Sequence, residues 1–297
     1  MISKSKAIEI LNLGLSTGAD YAEIFIEDNL SHGIVVENGK VDSATTARTY
    51  GAGIRLLKDL QSVYGYTNEV TVKSLTKLIE SLAKSFNGKR VLTVNNLKTK
   101  KVRDRNKPEI SYENINDSVL ISYLKSGDEV MRNFDKRIIR TNASISYSIK
   151  KIVLINSKEF MLKDTKQRGR VGLSCVASEN GKIETGFEGP GASSGFEFFK
   201  EKVDVKKAAK EVAERAILML SAKECPSGKM PVVIGNAFGG VLFHEACGHS
   251  LEASAVSKNL SVFANKLGQQ IASPIVTAVD DGTIRNGWGS NNIDDEG

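Results

Sequence analysis

The distribution of apolar and polar positions divides the chain into short segments of contrasting period. In "DYAEIFIED", Ala22, Ile24 and Ile26 share one face while Glu23, Phe25 and Glu27 share the other, the period-two signature of a strand. "GIVVENGKVDSA" sets Asn38-Gly39 between two strand-like runs and predicts a hairpin. "GAGIRLL" and "SVYGYT" predict two further strands, followed by a helix at about 71–86. A helix runs through "NINDSVLISYLKSGDEVMRN". Long strands are predicted at about 143–157 and 167–178, with Asn180-Gly181 turning the chain into "KIETGFEG". Residues 203–224 carry the clearest helical spacing, with Ala- and Leu-type residues on one face. The order of helices and hairpins predicts an α+β fold built on antiparallel sheet rather than a doubly wound one.

The breaker cluster Cys225-Pro226-Ser227-Gly228 marks a boundary. The expected organisation is an N-terminal helix-and-antiparallel-sheet domain over 1–222 and, over 223–297, the incomplete beginning of a β-rich C-terminal domain. In the second part "KMPVVIG" reads as a buried strand, leading through Asn236 and Gly239-Gly240 into a helix. "PIVTAVDDG" reads as another strand, and "NGWGSNNIDDEG" as a loop with nothing to pin its end.

At the N-terminus, early lysines precede apolar residues, but Glu9 and Asn12 interrupt the run and no small-residue cleavage site follows. An amphipathic helix capped by Ser3 and ended at Gly18 is expected. No segment approaches the length of a membrane span. The 41 basic and 35 acidic residues leave a net charge of +6, too small and too dispersed to imply nucleic acid by itself. The basic stretch 98–108, without interleaved aromatic residues, reads as a solvated loop. Three widely spaced cysteines, Cys175, Cys225 and Cys247, argue against a disulfide framework and for a reducing, cytoplasmic setting.

Candidate chemistry concentrates in "LFHEACGHSLEA". Of three histidines in the chain, His244 and His249 lie within six residues, with Glu245 beside the first. The zinc-peptidase signature places two histidines four apart on one helical face; here they are five apart. On a regular α-helix, five positions rotate by about 140°, against about 40° for four, so the two rings would diverge. One π-type turn restores the register, and Gly248 lowers the steric barrier to it. Spacing alone leaves two readings open: a metal site on an expanded turn, or two hydrogen-bonded histidines on an ordinary half-buried helix.

This stretch, followed by "SVFANKLGQQIASPIVTAVDDGT" and "GSNNIDDEG", resembles the TldD/PmbA family of metallopeptidases. The five-residue spacing, the glycine before the second histidine, Leu251-Glu252, the Asp-Asp-Gly turn and the terminal Ile-Asp-Asp-Glu-Gly follow the family's order. The likeness is strongest over 230–297, and the paired histidines resemble the TldD-type, catalytic member. That resemblance implies His244 and His249 as zinc ligands and Glu245 as the catalytic glutamate. It also implies a third ligand, a cysteine in a downstream part that this chain does not contain. The chain thus resembles a C-terminally truncated form, expected to be largely metal-free and inactive. Implied substrates are short or unfolded peptides, with leader-peptide removal as a family precedent. Implied partners are a second copy or a PmbA-type subunit, with no nucleic acid and no membrane. The alternative is a non-catalytic binding or assembly module whose histidines are structural.

Other residues receive blander readings. Cys247 reads as a small buried apolar residue, and His32 as a surface or packing residue. Asp280-Asp281-Gly282 reads as a tight turn, and Asp294, Asp295 and Glu296 as an exposed loop. The glycines from Gly186 to Gly195 read as either a mobile loop over a peptide groove or plain linker. Trp288 reads as covering or anchoring an interface.

Overall fold

The computed structural model describes residues 2–236 and 239–297. In chain order the first elements are α1 (Lys4–Gly14), β1 (Tyr21–Glu37), β2 (Lys40–Lys58), β3 (Gln61–Thr67) and α2 (Val72–Ala83). Then come β4 (Lys98–Thr99), α3 (Asp117–Phe134), β5 (Ile138–Asn156), β6 (Phe160–Glu179), β7 (Lys182–Glu188) and β8 (Gly191–Ala192). The remaining elements are α4 (Glu197–Glu201), α5 (Val205–Leu220), α6 (Gly239–Phe243) and α7 (Ala253–Ser257). The α+β expectation holds: one sheet runs β3-β2-β1-β5-β6, and β4, β7 and β8 also pair with β6. All pairings are antiparallel except the short β4–β6 contact.

Alternation decides which face is covered. Ala22, Ile24 and Ile26 are buried, as are Ile34 and Val36 further along the same strand. The register carries this face across the sheet, Ile24 opposite Ile54 and Ile155, then Ile34 opposite Ile145 and Val171 opposite Ile145 in turn. Helices α1 and α2 seal one end with Ile10, Leu11, Leu75 and Ile79. Helices α3 and α5 seal the other with Leu120, Leu124, Met131, Val212 and Ala216. Each of the larger of these side chains contributes roughly 1.5–3 kcal/mol on full burial. Ser3, Thr71, Asn116 and Asp204 cap α1, α2, α3 and α5 by accepting backbone N–H bonds.

The strands are longer than the sequence pattern suggests: β1 has 17 residues and β2 has 19. Asn38 and Gly39 both take positive φ in the expected hairpin, and Asn180 and Gly181 do the same between β6 and β7. The glycine-rich 186–195 segment is neither a mobile loop nor a linker. Gly186 lies within β7, β8 pairs with β6, and Ser193 and Ser194 are buried. Glu197 holds the following turn by accepting bonds from the Ile110 and Gly195 N–H groups, both 2.9 Å.

Residues up to Ala222 form one compact unit together with Asp281–Gly297; Lys223–Asp280 form another. In the first unit, the final stretch lies on the sheet face that no helix covers. Asn286 N–H donates to Asn106 Oδ1 at 2.7 Å, and the Trp288 carbonyl accepts from the Ser193 hydroxyl at 3.1 Å. Asn292 donates to Asp164 at 2.9 Å, and Arg55 pairs with both Glu296 (2.8 Å) and the buried Glu23 (3.3 Å). Asp294, Asp295 and Glu296 are an exposed loop, as expected, but the end is pinned: Glu296 is tied to the sheet through Arg55.

The second unit contains α6, the histidine segment and α7, and shows no strand among the described residues. "KMPVVIG" and "PIVTAVDDG", expected as strands, are exposed irregular chain. An apolar run forms a strand only against a partner ladder, and the described residues of this unit offer none. Residues 237–238, between the expected strand and the helix, lie outside the described residues. Among the described residues no helix is long and apolar enough to cross a membrane.

Candidate metal centre

The backbone between the two histidines departs from α-helix in the way a site shared by both would require. Helix α6 ends at Phe243 and passes into a π-turn, His244–Gly248, followed by a 3-10 turn, His249–Leu251. The N–H of His249 donates to the carbonyl of His244, five residues back. That bond inserts one residue per turn and returns positions five apart to a common face. The two rings consequently lie 4.4 Å apart, centroid to centroid, with their planes tilted by 57°.

Gly248 makes this approach possible by its size. Its φ of −57° is ordinary right-handed helix, so no left-handed conformation is required. A β-carbon there would stand 2.8 Å from His244 Nδ1. The position requires glycine for its small size and not, as expected, for its backbone freedom.

Glu245 completes the cluster: one ligand atom from each of His244, Glu245 and His249 lies within 4.8 Å of the others. All three side chains are exposed. His249 Nε2 is 3.9 Å from Glu245, while its Nδ1 meets Glu252 Oε1 at 2.8 Å. The Glu252 hydrogen bond holds the His249 imidazole above its ordinary pKa, and the charge of Glu245 adds to this. A carboxylate on the far nitrogen of a ligating histidine fixes its tautomer and orientation. The donor set suits zinc, with imidazole nitrogens from two histidines and a nearby carboxylate, and Glu252 supplies the supporting contact. The sequence reading gave Glu252 no role; its signal is an acidic residue one helical turn beyond the second histidine.

The other candidates separate from this cluster. Cys247 is half-buried inside the π-turn and is not among the grouped donors. His32 packs in the sheet unit, with Nδ1 2.7 Å from the Thr46 hydroxyl and Nε2 3.2 Å from Asp117. Asp281 accepts from both the backbone and the hydroxyl of Thr283, as a tight turn does, and these bonds lower its carboxyl pKa.

Three successive domain models of one family match the chain. They are described as PmbA/TldA metallopeptidase domain 1 over 22–85, the central domain over 110–220 and the C-terminal domain over 227–297. The chain belongs to the TldD/PmbA family. It is 30% identical over its whole length to a metalloprotease TldD homolog of Haemophilus influenzae, covering 63% of that protein. It is 31% identical over 94% of its length to a metalloprotease TldD homolog of Buchnera aphidicola, covering 59% of it. The chain thus spans about three-fifths of the length of these relatives. Among solved structures, a Thermotoga maritima protein described as a candidate modulator of DNA gyrase matches with a TM-score of 0.78 at 20% identity. That match covers 98% of this chain and 65% of the other, and it shows a common fold.

Proposed function

We propose that the protein is a zinc-dependent metallopeptidase of the TldD type, in which His244 and His249 hold the metal and Glu245 acts on protons. The observation that carries this reading is the i-to-i+5 bond between His249 and His244, which brings both rings to one side of the chain. Zinc bound there would polarise a peptide carbonyl and acidify a water molecule. Glu245, adjacent to the first ligand, takes the proton of the attacking water and delivers it to the leaving amine. Glu252 keeps the His249 ring oriented through its 2.8 Å bond.

Two histidines supply fewer protein ligands than the three usual at catalytic zinc. In this reading the third ligand is a downstream cysteine, as the family resemblance implies, and the 297-residue chain alone is largely metal-free and inactive. Exposure supports this, because nothing among the described residues of the second unit excludes water from the three donors. The substrates in this reading are short or unfolded peptides, leader peptides among them. The setting is the cytoplasm, and the assembly a homo-oligomer or a heterodimer with a PmbA-type subunit.

The test compares the 297-residue chain with one extended to the relatives' length, measuring zinc by elemental analysis and hydrolysis of an unfolded peptide. The longer protein should bind about one zinc and cleave; Glu245→Gln in it should keep the metal and lose turnover. A longer protein that stays zinc-free, or undiminished hydrolysis by E245Q, defeats the mechanism and leaves the non-catalytic module standing.

A further inference from the structure

The open face of the sheet carries a charge arrangement that the peptidase reading does not use. The β5–β6 register sets Lys150 directly opposite Lys166, then Ser148 opposite Arg168 and Ser146 opposite Arg170. Like charges directly opposite on a sheet are destabilising unless something compensates them. Lys150 is compensated by Glu27 at 2.9 Å. Lys166 instead reaches the neutral side-chain oxygen of Asn291. The Nε of Arg168 is shielded from solvent and has no hydrogen-bond partner among the described residues. Its guanidinium is held over the Trp288 ring at 5.5 Å, which fixes the plane of the fork.

A cavity of about 160 Å³ lies between these cations and the Asp281–Gly297 stretch, with Asp294 and Asp295 on its other side. Burial first, then the charge of Arg168, lowers the Lys166 pKa to about 8, with Lys150 adding to this and Asp164 opposing it, so the cation is only partly compensated. The acids say which kind of anion fits. Asp164, Asp294 and Asp295 line the same cavity and would repel a chain of phosphates. A single carboxylate with a hydrogen-bond donor beside it matches both signs. Pockets for drug-sized ligands begin at about 300 Å³, so this one has room for about one amino-acid residue.

We propose that this cavity binds the α-carboxylate of an amino acid or a peptide C-terminus, Arg168 and Lys166 taking the carboxylate and Asp295 facing the adjoining N–H. Arg168 supplies the planar fork that carboxylates accept in bidentate fashion. Binding here requires neither zinc nor Glu245 and stands independently of the peptidase reading.

The test is calorimetric titration of the full chain with L-alanine, with Ala-Ala and with Ala-Ala amide, beside a ten-nucleotide oligothymidylate. At least one carboxylate ligand should bind, the amide at least tenfold more weakly, and the oligonucleotide not at the same site. Tighter binding of Ala-Ala than of L-alanine assigns the site to peptide ends; the reverse assigns it to free amino acids. Arg168→Gln should weaken binding at least tenfold, and Arg168→Lys, which keeps the charge without the fork, by less. Asp295→Asn, on an exposed side chain, should weaken L-alanine more than Ala-Ala, because an ammonium loses more than an amide. E245Q should bind like the parent chain. Equal binding of the amide, unchanged binding by a folded R168Q or D295N, displacement by the oligonucleotide, or no binding of either carboxylate overturns the proposal.

Discussion

A β-carbon on Gly248 would lie 2.8 Å from Nδ1 of His244. The glycine and the first histidine are therefore coupled across the π-turn, and the coupling is steric. Gly248→Ala should push the imidazole aside while leaving the backbone a permitted helical conformation. In the extended, zinc-loaded protein we expect at least a tenfold loss of zinc affinity, read by competition with a chromogenic chelator, with little change in melting temperature. Unchanged affinity in G248A would show that the ring takes up a different position when metal binds.

Close backbone approach sets the limits elsewhere. On Gly186 a β-carbon would stand 2.0 Å from the Val212 carbonyl oxygen, where β7 packs on α5. Backbone cannot yield as a flexible side chain does, so Gly186→Ala should destabilise the sheet unit by about 1–3 kcal/mol. Gly289→Ala, with nothing among the described residues within 4 Å of the added carbon, should stay within about 0.5 kcal/mol. Denaturant melts of the two variants check the contrast.

These packing relations mark the boundary of what sequence pattern reveals. The Asn38-Gly39 hairpin and the Ala22, Ile24, Ile26 face were legible because turn chemistry and period-two alternation are local. The π-turn was legible only as a condition, since two histidines five apart can face one another on no regular α-helix, while an ordinary helix with diverging rings stayed open. The full length of β2 was not, since "SATTARTYG" consists of small and polar residues on an exposed stretch with no alternation to read. The anchoring of the final stretch was also hidden. It rests on polar side-chain contacts such as Asn106 to Asn286 and Arg55 to Glu296, far apart in sequence and without a periodic signal. Residues 229–235 failed in the opposite sense, an apolar run whose pattern is strand-like but which has no ladder to join.

Lys166 gives a pH dependence with a definite sign. Its pKa falls from 10.5 to about 8 in the fold, through burial first and the neighbouring Arg168 and Lys150 second, with Asp164 opposing. Asp294 and Asp295 face the same cavity from the other side. Between about pH 8 and pH 10.5 the unfolded chain holds a proton that the folded chain has released. This group's contribution to stability therefore rises with pH across that window, and the penalty is fully present below it. Partial exposure makes the slope shallower than for a fully buried lysine. Lys166→Met should remove it: the stability difference, variant minus parent, should shrink as pH rises from 8 to 10.5. A difference independent of pH would show that the amine titrates as it does in the unfolded chain.

Trp288 and Gly191 should act as a unit in holding the final stretch to the sheet. The indole lies over the guanidinium groups of Arg168 and Arg170, at 5.5 and 6.0 Å. A β-carbon on Gly191 would meet the indole ring at 2.9 Å. Trp288→Ala removes the ring and about 0.5–1 kcal/mol for each exposed cation–π contact, besides its packing. Gly191→Ala displaces the same ring without removing it. Each single variant should therefore raise amide hydrogen exchange over 286–292 and speed proteolysis there. The double variant should fall well short of the sum of the two, because both act on the indole; what remains beyond W288A is the crowding of the Gly169 carbonyl oxygen, 3.1 Å from the added carbon. Fully additive effects would mean that Gly191 and Trp288 contribute separately, and that the indole does not depend on the bare glycine beneath it.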